Sequence, residues 1–221
     1  MSPFPASLSR IALIGLVAVA ALPGCANQST ARGSWEAGAA RGQAFSRVLI
    51  VGVSPDANQR CDFEYFMASQ IKSEATTPLA SCSVLSVQEP LTRAAVERAV
   101  ASQKADAVLT MTLVALNTQY KEGGTRETRG DTGFKATGIG YETTYAGAYG
   151  VPVVYGEMQS LQPLSTARGS VTVQMKIYET RGATVVYSME SSAKNIENRA
   201  EGLAAITVPI AKQLRRDGLI R

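Results

Sequence analysis

The 221-residue chain carries 22 basic against 18 acidic side chains, a formal charge of +4, with 45% hydrophobic residues and no histidine. So small an excess, with no run of like charge, offers neither nucleic acid nor an anionic bilayer an electrostatic hold. The lack of histidine excludes Ser-His and Cys-His catalytic pairs and imidazole metal ligands.

Behind Arg10, the run Ile11–Leu22 is apolar throughout. It falls short of the ~20 residues a spanning helix needs and fits the h-region of an export signal. Leu22-Pro23-Gly24-Cys25 follows and resembles the lipobox of bacterial lipoproteins, with Pro23 departing from the family's small non-proline residue. The resemblance implies removal of residues 1–24, acylation of Cys25 and attachment to a membrane. Ala26 in place of aspartate implies outer-membrane sorting, with the domain facing the periplasm. Ala18-Val19-Ala20 is a rival site for ordinary signal peptidase, which would release a soluble protein.

Residues 25–45 are rich in Gly, Ala and Ser without sustained periodicity. They read as a flexible tether spanning ~25 Å root-mean-square, with Trp35 inside it. Residues 46–221 are then a single α/β domain, large enough to bury its own core. Its first strand is Arg47–Val53, a continuous apolar run of the kind buried on both faces. Ser54-Pro55-Asp56 turns the chain into a helix with Phe63, Phe66, Met67 and Ile71 on one face, ending at Thr76-Thr77-Pro78. Ser83–Val87 reads as the second strand. Thr92 caps a second helix with Leu91 and Val96 as its staple and Ala95, Val96, Ala99 and Val100 facing the core. Asp106–Leu116 is the third strand, and this alternation implies parallel neighbours with right-handed crossovers.

Residues 117–169 form a Gly/Tyr-rich insertion holding 10 of the 19 glycines and five of the eight tyrosines. Beyond it, Val171, Val173, Met175 and Ile177 alternate with Thr172, Gln174, Lys176 and Tyr178, the period of a strand with one buried and one wet face. Thr180–Ala183 turns, and Thr184–Glu190 returns antiparallel. A last helix starts near Asn198, with Glu201 placed for a capping box and Pro209 placed to kink it. It buries Leu203, Ile206, Ile210 and Leu214 and stops at Gly218. The sum is an α/β (mixed α+β) two-layer sandwich: parallel β-α-β-α-β, an antiparallel hairpin and a C-terminal helix.

Cys61 and Cys82 would meet an oxidising compartment, where two cysteines suggest a disulfide. With Cys61 at a helix start and Cys82 at the start of the next parallel strand, however, they fall at opposite ends of a β-α-β unit. For a helix of about 12 residues that is ~18 Å, against the ~7 Å between Cα atoms that a disulfide allows. The expectation is two separate thiols.

The element order behind a lipobox looks like the periplasmic domains of small envelope lipoproteins. The LpoB-type synthase activators, the CsgG curli secretion lipoprotein and the N-terminal domain of TolB are distant examples. The C-terminal part resembles a group of bacterial lipoproteins with a Gly/Tyr-rich insertion, a hairpin and a final Asp-Gly-Leu-Ile. Here these read Ile177-Tyr178 through Gly182 to Val185-Val186-Tyr187-Ser188, with Tyr187 where the group has tryptophan, and Asp217-Gly218-Leu219-Ile220. The resemblance supplies no catalytic residues, and a fold does not fix a function.

Two Ser-x-x-Lys tetrads, Ser69–Lys72 and Ser191–Lys194, have the spacing of serine–lysine acyl-enzymes but lack the companion motifs. Ser69 and Lys72 fall on a surface helix face. Gly123-Gly124 and Gly138-Ile139-Gly140 do not join a strand to a helix, so they make no phosphate cradle. Asp56, Asp62 and Glu64 near the first helix start suit its dipole without invoking a metal. If extended, Tyr141, Tyr145, Tyr149 and Tyr155 share one side of the insertion. That pattern admits a solvated loop, a recognition surface or a membrane-inserting hairpin; Glu142 and Pro152 count against the last. The reading is a non-enzymatic outer-membrane lipoprotein with no cofactor and no metal, binding a protein partner in envelope assembly or maintenance. Its candidate partner surface is Tyr141, Tyr145, Tyr149, Tyr155, Thr172, Gln174, Lys176 and Tyr178. The alternatives are a subunit of an oligomeric secretion assembly and, third, a soluble exported enzyme.

Overall fold

The computed structural model describes residues 28–42, 44–54, 56–86, 90–120, 131–137, 154–155 and 167–221. The elements are β1 (Gln28–Trp35), β2 (Arg47–Val53), α1 (Ala57–Ile71), β3 (Thr77–Ala80), α2 (Arg93–Gln103), β4 (Ala107–Tyr120), β5 (Asp131–Thr137), β6 (Val154–Tyr155), β7 (Ala167–Glu179), β8 (Thr184–Ile196) and α3 (Arg199–Arg216). The mixed sheet runs in the order β1-β8-β7-β4-β2-β3, with β5 and then β6 continuing from β4. The expected mixed α/β sandwich is the observed one: β2 pairs parallel with β3 and β4, and β4, β7, β8 and β1 are successively antiparallel.

The apolar run of β2 is buried on both faces, as its composition requires. Val48 and Ile50 join the core under α1 and α3, together with Met67, Leu109, Met175, Ile206, Ile210 and Leu214. Leu49 and Val51 face the other way, where Ala95, Val96 and Ala99 of α2 pack against Val108 and Tyr178. Each helix start follows its sequence signal. Asp56 accepts from the N–H groups of Asn58 and Gln59, Thr92 from Ala95, and Asn198 from Glu201. The Glu201 carboxylate reaches back to the Glu197 N–H, one residue before the cap. α3 runs continuously through Pro209, and Gly218 closes it at φ +76°.

Four expectations are corrected. Residues 28–35, expected to be tether, form edge strand β1, paired along its length with Lys194–Tyr187 of β8. Its inward positions Ser29, Ala31, Gly33 and Trp35 alternate with exposed Gln28, Thr30, Arg32 and Ser34. Gly33 has no side chain because that of Tyr187 crosses over it: a Cβ there would lie 2.0 Å from the Tyr187 hydroxyl. Trp35 docks edge-on to the Tyr187 ring at 5.6 Å.

The second strand is Thr77–Ala80, not Ser83–Val87; Ser81–Ser83 is a single 3-10 turn. Pro78 is tolerated because β3 is the outer edge of the sheet. With the strand ending before it, Cys82 lies beyond the C-terminal end of β3, the end at which α1 begins. There it forms a disulfide with Cys61, Cα atoms 5.6 Å apart. The expectation of two separate thiols failed because the strand was placed too late, which put Cys82 at the wrong end of the unit.

Tyr178 is fully buried rather than wet. Its face of β7 is open at Thr172, Gln174 and Lys176 but covered at Tyr178 by the packing of α2.

Candidate functional site

Strand directions fix what shares one end of the sheet. Gln28 is level with Lys194, Ser170 and Asn117 through successive pairings. β4 and β7 continue past that level to Tyr120 and Ala167, so the insertion leaves the sheet at the end where β1 begins. The N-terminal halves of α1 and α3 stand over the same end. Between them and the sheet lies a cavity of about 380 Å³. Its floor is Met111, Leu113 and Leu116 of β4 with Val171 and Val173 of β7, and its helical wall is Phe63, Leu203 and Ile206. A ligand-sized, mainly apolar space with a few polar groups at its rim has the character of a small-molecule site.

The rim carries Gln59, Glu197, Asn198 and Arg199. Arg199 forms a 2.7 Å ion pair with Asp62, joining the first turn of α3 to the second turn of α1. Below the rim a buried polar cluster anchors α1. The Glu64 carboxylate, 0% exposed, accepts from the Gly52 N–H, the Ser81 hydroxyl and the Cys82 N–H. Burial raises the Glu64 pKa, against the opposing pull of these hydrogen bonds and of Arg60. Arg60 lies across Gly52, where a Cβ would meet its Cγ at 2.9 Å, so the strand needs glycine at that point. The guanidinium is 3.8 Å from Glu64 and donates from Nη2 to the Cys82 sulfur, while its buried Nε–H has no hydrogen-bond partner among the described residues. Donors thus crowd the carboxylate from three segments of chain, and the arrangement locks β2, α1 and the 3-10 turn together. The Ser81 hydroxyl is buried against the carboxylate it bonds, so the cluster reads as an anchor.

Cys25, Tyr141, Tyr145 and Tyr149 lie outside the described residues. Tyr155 lies in β6, paired with Ala136 of β5. Thr172, Gln174 and Lys176 are half-buried on the sheet face away from α1 and α3. They continue into a band of polar side chains formed by Ser188, Glu190 and Ser192 on β8 and Thr30, Arg32 and Ser34 on β1. The two tetrads do not assemble. Ser69 donates to the Phe66 carbonyl on the surface of α1, and Ser191 is buried and donates to Thr30. Ser191 and Lys194, three apart on a strand, face opposite sides.

No family model matches the chain, and no curated protein matches it. Among solved structures the chain is similar to the PelC dodecamer of Paraburkholderia phytofirmans, at 12% identity and a TM-score of 0.44, over 88% of this chain and 100% of that one. A variant of the same dodecamer gives 13% and 0.45 over 87% and 99%. Lipoprotein GNA1162 of Neisseria meningitidis is similar at 15% identity and a TM-score of 0.38, over 77% of this chain and 99% of that one. At these scores the likenesses transfer no residue roles.

The terminal Asp-Gly-Leu-Ile has a structural part. Asp217 accepts from the Tyr187 hydroxyl and from Gln213. Gly218 supplies the left-handed turn, and Leu219 and Ile220 are buried. Burial and the Asp217 carboxylate both raise the Tyr187 pKa, keeping the phenol a donor. Tryptophan, the residue at this position in the group that the C-terminal part resembles, is likewise a donor. The cavity was not legible in the sequence. Its lining is drawn from several elements distant in sequence, which the periodicity of no single one reports.

Proposed function

We propose that the chain is an envelope lipoprotein, acylated at Cys25 and held at the periplasmic side of the outer membrane, that binds a protein partner rather than catalysing a reaction. The observation that carries this is the start of β1 at Gln28, three residues after the lipobox cysteine. Three residues reach at most ~11 Å. An acyl group on Cys25 therefore brings one end of the sheet, with the cavity and the root of the insertion, to the membrane surface. The Ser/Thr-rich face of β1, β8 and β7 supports partner binding, since it offers hydrogen-bonding groups on a rigid platform.

A second reading, assembly with further copies, is favoured by β1 itself. It is an eight-residue edge strand whose outer side has no partner strand among the described residues, a site for strand addition. Metabolic labelling with a palmitate analogue tests the first reading. Label is expected on the wild type and lost in Cys25→Ala; no label, or label that survives, overturns it. In-cell crosslinking with affinity capture then separates a foreign partner from a second copy, and recovery of neither overturns the binding role.

A further inference from the structure

We infer that the cavity between α1 and α3 is the receptacle for an acyl chain carried by this protein's own Cys25. The inference rests on the lipoprotein reading and adds to it a place for the lipid inside the domain.

Three observations point to this occupant. First, the cavity lies at the end of the sheet nearest Cys25. Gln28 pairs with Lys194, and Ile196, Glu197 and Asn198, just beyond it on the neighbouring strand, line the space. Adjacent strands lie ~4.8 Å apart, and Cys25 is at most ~11 Å of chain from Gln28. An acyl group leaving Cys25 is therefore within reach of the lining without any movement of the fold. Second, the strand's period of two turns Ser29, Ala31, Gly33 and Trp35 toward α3, one of the two helices that bound the cavity. Third, the chemistry suits a hydrocarbon chain. Floor and wall are mainly Met, Leu, Val, Phe and Ile side chains, and of the polar lining groups Gln59, Glu197, Asn198 and Arg199 are not buried, while Arg60 is. An exposed apolar concavity of this size is unfavourable in water, and a chain acylated at the adjacent residue carries its own means of filling it.

The other occupants have weaker claims. A second copy or a peptide partner lacks the covalent tether that holds the acyl group beside the lining. A free lipid from the bilayer competes with a tethered chain held at a much higher effective concentration.

The test uses the full-length protein in its own membrane, fed a palmitate analogue that bears a photoreactive diazirine and an alkyne. After irradiation, tryptic peptides joined to the Cys25 peptide are mapped by mass spectrometry. The expected adducts are within one copy, on the Phe63 peptide of α1 and the Leu203–Ile206 peptide of α3. None is expected on α2, which packs on the opposite face of the sheet. Leu203→Trp fills the space and should abolish these adducts while Cys25 keeps its label. Label on Cys25 with adducts only to phospholipid, to other faces or to a second copy overturns the cavity proposal and leaves the lipoprotein reading standing. No label on Cys25 overturns both. The wild-type map decides the question if Leu203→Trp fails to fold.

Discussion

Replacing Cys61 and Cys82 together by alanine should lower stability by about 3 kcal/mol without dismantling the native structure. The disulfide closes a loop with a sequence separation of 21. On the chain-entropy account, a loop of that length costs the unfolded state about 11 cal/mol/K, or about 3.3 kcal/mol at 25 °C. The native side of the balance should hardly move. The 3-10 turn is independently pinned by the Ser81 hydroxyl and the Cys82 N–H on Glu64, and β3 by its pairing with β2. For a domain of this size the loss corresponds to a fall in Tm of roughly 6–12 °C. Urea denaturation of the wild type and the double variant is the assay. The midpoint should drop, and the slope m should rise because the released chain exposes more surface. A loss below about 1 kcal/mol with unchanged m refutes the reasoning. So do two titratable thiols from positions 61 and 82 in the unreduced, denatured wild type. The same thiol count reports on the N-terminus: of three cysteines, acylated protein should show none free and unacylated protein one.

Gly33→Ala should loosen β1, because its Cβ would fall 2.0 Å from the Tyr187 hydroxyl that Asp217 holds in place. A loss of about 1–3 kcal/mol in urea unfolding is expected, and an unchanged midpoint would place β1 elsewhere. Tyr187→Phe removes the donor from Asp217 and should cost about 1 kcal/mol, read by thermal melting; a gain in stability would argue against the contact. Burial raises the Glu64 carboxyl above its ordinary value of 4.5, so the native state binds that proton more tightly than the unfolded chain. That contribution to stability is present below about pH 4.5 and lost as pH rises through the native pKa. The stability advantage of wild type over Glu64→Gln should therefore narrow as pH rises from 4.5 through the native pKa; widening refutes the direction of the shift.

Sequence periodicity made much of the fold legible: β2, α1, α2, the β7–β8 hairpin and the caps Asp56, Thr92 and Asn198 all declare themselves locally. What was not legible depended on neighbours distant in sequence. β1 has Ser29, Ala31 and Gly33 at three of its four inward positions, too small to look like a core strand, and at Gly33 Tyr187 supplies the bulk from the neighbouring strand. β3 contains a proline that reads as a break until its edge position is known. Misplacing that one strand moved Cys82 to the far end of its unit and hid the disulfide. Tyr178 follows the strand alternation as expected and is buried all the same, because nothing local says which end of β7 will lie under α2. Of the candidate surface, Thr172, Gln174 and Lys176 do share an open face. The cavity went unseen because its lining comes from β2, α1, β4, β7, β8 and α3 together.

The pairing of β1 with β8 sets an order of events. The hydroxyls of Thr30 and Ser192 lie 3.0 Å apart across 162 positions of chain. Among the described residues β1 has no other strand to pair with. A polypeptide crossing a membrane N-terminus first delivers β1 at the outset and its partner close to the end. On the lipoprotein reading proposed above, the segment beside Cys25 waits, unpaired, through nearly the whole of translocation, and contacts so distant in sequence are slow to close. Its small, polar composition suits that wait, since it gives an idle strand little with which to aggregate.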